Sequence, residues 1–500
     1  MITYTCDGEY HPILQHFPAA DHKPGETLEI RGAKIPLPSH TYTVVGWMNE
    51  HQLAIGETTF GGRKELHNPR GALVYEDLMR LALLQAKTAR QAIRVMTSAA
   101  ETYGYRSTGE TFSIADPKEV WIMELIGTGP KSKKVVWVAR KIPDGYICAH
   151  ANKARIGTFP LHDPENCIYS PDVIRFAVKK GYYDPKSGEP FRFNEAYCPS
   201  TPQNQRYGSM RVWSVFRRAA PSLSLSPAYH RAEKGAKPYP LWIKPDKKLA
   251  LADVFALMRD HYEGTRFDMT KGVDAGPFGM PDRWRPLSWK VDGREYAWER
   301  PISTQQTAYT FVSQSRSWLP DPVGGVFWYG VDNTYTTCYI PLYCAIARPP
   351  RSFAVGSLNR FSWDSAWWVF NFVANFTNLR YRDMVKDVQA LQKDLEGTFL
   401  ALQPAVEKTA CELCRKNPKL MTRYLTDYSV THAEMTVRKW RELAELLIRK
   451  YNDGYIQDEN GRPRNAGYPQ EWLKLVVKNR PEQFRLPAKE EKTSEAKSAK

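Results

Sequence analysis

The runs Val120-Trp-Ile-Met-Glu-Leu-Ile126 and Val135-Val-Trp-Val138, with Gly127-Thr-Gly-Pro130 after the first, decide the fold class. Two runs rich in β-branched and aromatic residues, parted by a Gly/Pro turn, read as neighbouring antiparallel strands. Gly145-Tyr-Ile-Cys-Ala149 is expected to add a further strand. Upstream, Tyr42-Thr-Val-Val-Gly-Trp47 and Gln52-Leu-Ala-Ile-Gly56 form a second strand pair, with Met48-Asn-Glu-His51 as its predicted turn. Between the two pairs the apolar pattern turns helical. Leu78, Leu81, Ala82 and Gln85-Ala86 keep helical spacing from Val74 onward. Thr88-Ala-Arg-Gln91 then carries a capping box, in which a hydroxyl and an amide satisfy free backbone N–H groups, so a second helix is predicted up to Gly104. Strand pairs flanking a helix pair suit antiparallel sheets with helices on one face, an α+β class. A doubly wound parallel sheet needs strict βαβ alternation and is excluded.

Beyond this centre the chain changes character several times. Residues 199–248 are rich in Pro, Ser and basic side chains and are expected as long loops around one ordered block, Arg211-Val-Trp-Ser-Val-Phe216. A short amphipathic helix is predicted over 249–261, and aromatic strands with Gly/Pro turns over 262–350. Residues 385–451 read as helices packed outside the sheets. The resulting division is a sheet domain at 1–380, a helical region at 381–486 and a disordered Lys/Glu/Ala/Ser tail at 487–500. Trp363, Trp367, Trp368, Phe370 and Phe372 are read as a core cluster rather than a sugar platform.

Composition narrows the function classes. The 500 residues are 42% hydrophobic and 25% charged, the balance of a globular chain. No apolar run reaches the roughly 18 residues of a membrane helix, so no integral membrane segment is expected. The net charge is +16 and falls only to +15 without the four Lys and three Glu of the tail. Basicity is therefore spread over the body, and with no nucleic-acid motif or long Lys/Arg block, no nucleic-acid partner is expected. Eight cysteines are too sparse for a disulfide framework. Cys411-Glu-Leu-Cys414 lacks a second pair to complete a zinc site, and His11, His16 and His22 fit no ligand spacing, so no metal or organic cofactor is expected.

The nucleophile elbow, P-loop, dinucleotide fingerprint and HExxH motif are all missing. Polar, turn-rich strings stand out instead. They are Met48-Asn-Glu-His-Gln-Leu-Ala-Ile-Gly-Glu-Thr-Thr-Phe-Gly-Gly-Arg63, Ala149-His-Ala-Asn-Lys-Ala-Arg-Ile156, Phe267-Asp-Met-Thr-Lys271, Thr304-Gln-Gln-Thr307 and Trp328-Tyr-Gly-Val-Asp332. With these strings the chain resembles the cysteine dipeptidases of the dipeptidase A and secernin family, from Met1 to about Tyr468. The resemblance implies an N-terminal nucleophile hydrolase with a four-layer αββα sandwich, a dipeptide substrate and no cofactor. It implies that an N-terminal Cys attacks the peptide carbonyl, with its own α-amino group, of pKa about 7.7–8.0, as general base. Asp7 resembles the Asp that holds the nucleophile's amine. Asn152 resembles the Asn that donates near the oxyanion and amine, and Arg211 the Arg that supports the nucleophile region electrostatically. Thr59 sits where relatives in the wider superfamily place an oxyanion donor.

One departure from the family is large. Its nucleophile lies in a Cys-Thr string upstream of an Asp-Gly-Ser turn, and that turn precedes the strand matched here by Met1 to Thr5. The chain carries neither. Cys6 falls on the strand one residue before Asp7 with no Thr after it, and unmasking it would remove a core strand. Translation is therefore expected to begin upstream of Met1. The alternative is a homologue without amidase chemistry, whose central sheet lacks a strand and leaves unpaired backbone and an open slot beside Met1 to Thr5. Three functions follow: a thiol-dependent dipeptidase, a catalytically silent peptide-binding protein of secernin type, and an N-acyl amidase like the bile-salt and penicillin acylases.

Overall fold

A computed structural model of the protein describes residues 2–4, 10–12 and 14–487. Cys6, Asp7 and residues 488–500 of the expected tail lie outside the described residues. Ile2–Tyr4 pairs antiparallel with Tyr10–Pro12 in a two-stranded sheet of its own.

The protein is a mixed α/β fold built on an eight-stranded antiparallel sheet. Its order runs from Cys167–Tyr169 through Val135–Lys141, Val120–Gly127, Gly109–Ala115, Ala54–Gly61, Met48–Asn49 and Val44–Val45 to His16–Phe17. Register aligns Thr58 with Thr111, Thr111 with Glu124 and Glu124 with Val138, which puts these side chains on one face. Ile55, Phe112, Ile114, Trp121 and Met123 point to the other face. There they share a core with Leu78, Leu81, Ile93 and Met96 of helices Tyr75–Gln85 and Ala89–Tyr103. The Thr88 hydroxyl caps the second helix by accepting the Gln91 N–H at 3.3 Å, and Gly104 ends it with a φ of 83°.

Two details correct the expectation. Met48–Asn49 is itself a strand, pairing with Val45 on one side and Ala54 on the other. Of the expected turn only Glu50-His51 is one, and a further tight turn falls at Gly46-Trp47, because Gly46 supplies a φ of 58° and leaves room for the Phe327 ring. Of the run Gly145 to Ala149, only Ile147–Cys148 is a strand, and it pairs with Trp242–Ile243 outside the large sheet. The polar string that follows diverts it.

A second antiparallel sheet holds Tyr309–Gln314, Val326–Val331 and Ile340–Tyr343. Every residue of Val326–Val331 is buried. Helices Ala366–Thr377, Tyr381–Lys416 and Pro418–Lys450 pack on it, and their apolar residues join the same core as the large sheet. The two long helices meet at Asn417, whose side chain accepts the Leu420 N–H at 3.1 Å ahead of the new helix. The two sheets touch through Trp47 Nε1, which donates to Tyr309 OH at 2.8 Å, and through Gly56, which lies against the Phe311 ring. Among the described residues no helix is long and apolar enough to cross a membrane.

Candidate active site

A buried acid holds the central loop. Glu124, in the middle of Val120–Gly127, is fully inaccessible. Its carboxylate accepts the backbone N–H groups of Arg155 and Ile156, the latter at 3.1 and 3.2 Å. Burial still outweighs these bonds and pushes the carboxyl up to about 7. The same loop carries Asn152 at a φ of 48°, a left-handed conformation that Asn tolerates better than most residues.

Asn152 joins two further elements. Its Nδ2 donates to the Thr59 carbonyl at 2.6 Å, and its Oδ1 accepts from Arg211 Nη2 at 2.8 Å. Arg211, on helix Met210–Ala219, also donates through Nε to the Tyr207 carbonyl at 2.8 Å. No carboxylate pairs with Arg211 among the described residues. Burial first, then the neighbouring Arg300 charge, push its guanidinium down to about 9. Thr59, Asn152 and Arg211 thus form one hydrogen-bonded chain, while Asp7 lies outside the described residues. The Thr59 hydroxyl turns to the other side of the sheet and donates to Glu110 Oε2 at 2.9 Å.

Beside this chain, His150 bridges two strands. Its Nδ1 lies 2.7 Å from Thr58 Oγ1 and its Nε2 lies 2.7 Å from Ser113 Oγ. Burial, then Arg155 and Arg211, push it down to about 4, so the ring is neutral at pH 7. One ring nitrogen therefore donates to a hydroxyl and the other accepts from one.

These strands border a slot of about 550 Å³ between the two sheets. Gly56, Ser113 and His150 line it from the large sheet, Tyr309, Phe311 and Ser313 from the small one, and Glu57, Tyr75 and Glu76 close one end. Strand Ala54–Gly61 pairs with Met48–Asn49 only at Ala54, so among the described residues no strand pairs with that edge from there on. The Ile55 N–H bonds the Trp47 carbonyl on that edge. By the two-residue period of a strand, the backbone groups of Glu57 and Thr59 point the same way, and Asn152 takes the Thr59 carbonyl. A cleft of 640 Å³ beside Arg206, His230 and Arg231 is larger, and Thr59, Asn152 and Arg211 line neither it nor the slot.

Thr307 brings the Thr304–Thr307 string to the slot wall. Phe267 instead packs on Trp213 and His230 with ring centres 5.9 and 5.2 Å away. Asp332 is buried against Asn371 Nδ2 at 2.9 Å, and burial pushes it up to about 7. Cys411 and Cys414 lie on helix Tyr381–Lys416. Burial raises the thiols of Cys148 and Cys344 to about 12 and that of Cys167 to about 11, away from nucleophilic thiolates. Glu57, Glu110, Glu124 and His150 were not singled out from sequence. The available signal was a charged residue inside an apolar strand, as at Glu124, since such a residue must face a polar partner or a site.

The profile of Peptidase family C69 matches residues 23–394. The chain belongs to this family. Glu57, Thr59, His150, Asn152 and Arg211 all fall inside the matched span, whereas Asp7 and helix Pro418–Lys450 do not. Among similar proteins, a "Probable dipeptidase" of Salmonella dublin is 28% identical over 67% of this chain and 73% of that protein. A "Probable dipeptidase" of Latilactobacillus sakei is 24% identical over 67% of this chain and 68% of its own length. A "Probable dipeptidase B" of Streptococcus pyogenes serotype M1 is 24% identical over 86% of each chain.

Proposed function

We propose that this peptidase family member is a dipeptidase acting by thiol acyl transfer on a four-layer αββα sandwich of N-terminal nucleophile type. The observation that carries the reading is the chain from Thr59 through Asn152 to Arg211, at the edge of Ala54–Gly61. The dipeptidase names of its relatives support the substrate class. Two antiparallel sheets with helices packed outside them support the sandwich.

In this reading Asn152 has a second amide hydrogen left for the reacting carbonyl, because Nδ2 carries two and Thr59 takes one. Arg211 orients that amide and adds positive charge where an oxyanion develops. Asp7 holds the nucleophile's amine, and Thr59 positions Asn152 through its carbonyl. The nucleophile is a Cys in a Cys-Thr string N-terminal to Met1. Its sulfur bonds the carbonyl carbon, and its proton passes through its own α-amine to the leaving amine. Water then cleaves the thioester. The raised thiols of Cys148, Cys167 and Cys344 favour one second reading, peptide binding without hydrolysis.

The test is to read the DNA upstream of the Met1 codon, express the chain extended to the Cys-Thr string, and assay dipeptides and N-acyl amino acids. Turnover of free dipeptides, abolished by replacing that Cys with Ala, is expected. An in-frame stop with no Cys-Thr string, or turnover of acyl amides alone, overturns the reading.

A further inference from the structure

The 640 Å³ cleft beside Arg206, His230 and Arg231 is built apart from the slot. Arg206 and Tyr207 reach it from Gln205–Ser209, a π-helical turn ahead of helix Met210–Ala219. Such turns are rare and are frequent at functional sites. Glu299 pairs with Arg206 Nη2 at 2.7 Å and Arg231 Nη1 at 3.0 Å, yet does not line the cleft. One carboxylate outside the lining thus ties two guanidiniums together and offsets only one of their charges. Each guanidinium carries five N–H donors. Among the described residues Arg206 bonds only through Nη2, its Nε being buried without a partner, and Arg231 only through Nη1. Glu295 is the acid of the lining, on an exposed hairpin and 4.0 Å from Lys290.

His230 lines the same cleft and is fully inaccessible, and neither ring nitrogen bonds to another residue. Trp213 and Phe267 hold the ring, with centres 5.0 and 5.2 Å away. Burial first, then the charges of Arg231 and Arg266, push it down to about 3. At pH 7 it is neutral, with one N–H to donate. Free donors on an imidazole and two guanidiniums, in a cleft with excess positive charge, are complementary to an oxyanion. Tyr207 and Tyr296 add flat apolar surface to the lining.

We propose that this cleft binds a small aromatic oxyanion, a carboxylate or a phosphate monoester. Arg206, Arg231 and His230 hold the charged group, and Tyr207 and Tyr296 flank the ring. The site is independent of the dipeptidase reading, since Thr59, Asn152 and Arg211 line no part of it. Its volume lies within the range of about 300–1,000 Å³ usual for small-ligand sites.

The test is calorimetric titration of the full chain at pH 7.5 with phenyl phosphate, benzoate and benzyl alcohol, the last an uncharged control. One equivalent of phenyl phosphate or benzoate is expected to bind at least about tenfold tighter than benzyl alcohol, the scale of one charge-assisted contact. The tighter of the two identifies which oxyanion the cleft takes. Arg231→Gln and His230→Phe, the latter keeping a ring against Trp213 and Phe267, are each expected to weaken that binding about fivefold or more. On the unaltered protein the bound oxyanion is expected to protect Arg231 from phenylglyoxal, read by peptide mass spectrometry. That measurement keeps the test valid if a variant misfolds. Oxyanion binding no tighter than that of benzyl alcohol overturns the inference. So does oxyanion binding that neither variant weakens and that leaves Arg231 reactive, the mark of diffuse attraction to a chain of charge +16.

Discussion

Arg211 Nη2 and Asn152 Oδ1 lie 2.8 Å apart, and the same Asn152 side chain holds the Thr59 carbonyl at 2.6 Å. A helix, a loop and a strand edge are thereby tied through one amide. Each contact depends on the other, since the Arg fixes which way round the amide lies and hence which atom faces the strand.

Arg211 has no carboxylate partner among the described residues, so its charge opposes burial rather than stabilising the fold. Arg211→Met removes that buried charge but leaves the Tyr207 carbonyl and Asn152 Oδ1 without their donor, so a modest fall in melting temperature is expected. In the extended enzyme it is expected to lower kcat for dipeptides by about 10²-fold or more, the scale for loss of an electrostatic support. Arg211→Lys keeps the charge but lacks the fork that reaches both Tyr207 and Asn152, and should recover only part of that loss. Thermal unfolding and steady-state kinetics on the same preparations check the split.

Glu124 makes stability depend on pH. Its folded pKa of about 7 lies above the unfolded value, so the folded state binds the proton more tightly. That contribution is fully present below about pH 4.5 and is lost as pH rises through 7, at most roughly 3 kcal/mol in all. Glu124→Gln keeps an acceptor for the Ile156 N–H and removes the titration. Denaturant unfolding from pH 5 to 8 should therefore show a shallower fall for the variant, and equal slopes would refute the assignment.

Much of the fold was legible because periodicity reports which face is buried. Ile93 and Met96 mark one helix face and the Val120 to Ile126 run one strand, and both settle into the expected places. The turn at Gly46 was missed because its cause is tertiary: Phe327, almost three hundred residues away, occupies the space beside it. Asn152 and Arg211 stood out through the resemblance of their strings. Glu57, Glu76 and Glu110 did not, because their meeting depends on helix Tyr75–Gln85 packing over two adjacent strands, which no local pattern states.

Gly46 itself offers a test of how the sheets meet. Its φ of 58° is costly for any residue with a Cβ, and a Cβ there overlaps the Phe327 ring. Gly46→Ala is expected to destabilise the protein by roughly 2–4 kcal/mol, from strained backbone plus overpacking. Gly46→Ala combined with Phe327→Leu relieves only the overlap, so the double variant should be more stable than the additive sum of the two single ones. Chemical denaturation of the four proteins measures that coupling, and strict additivity would mean that the ring does not set the position of the turn.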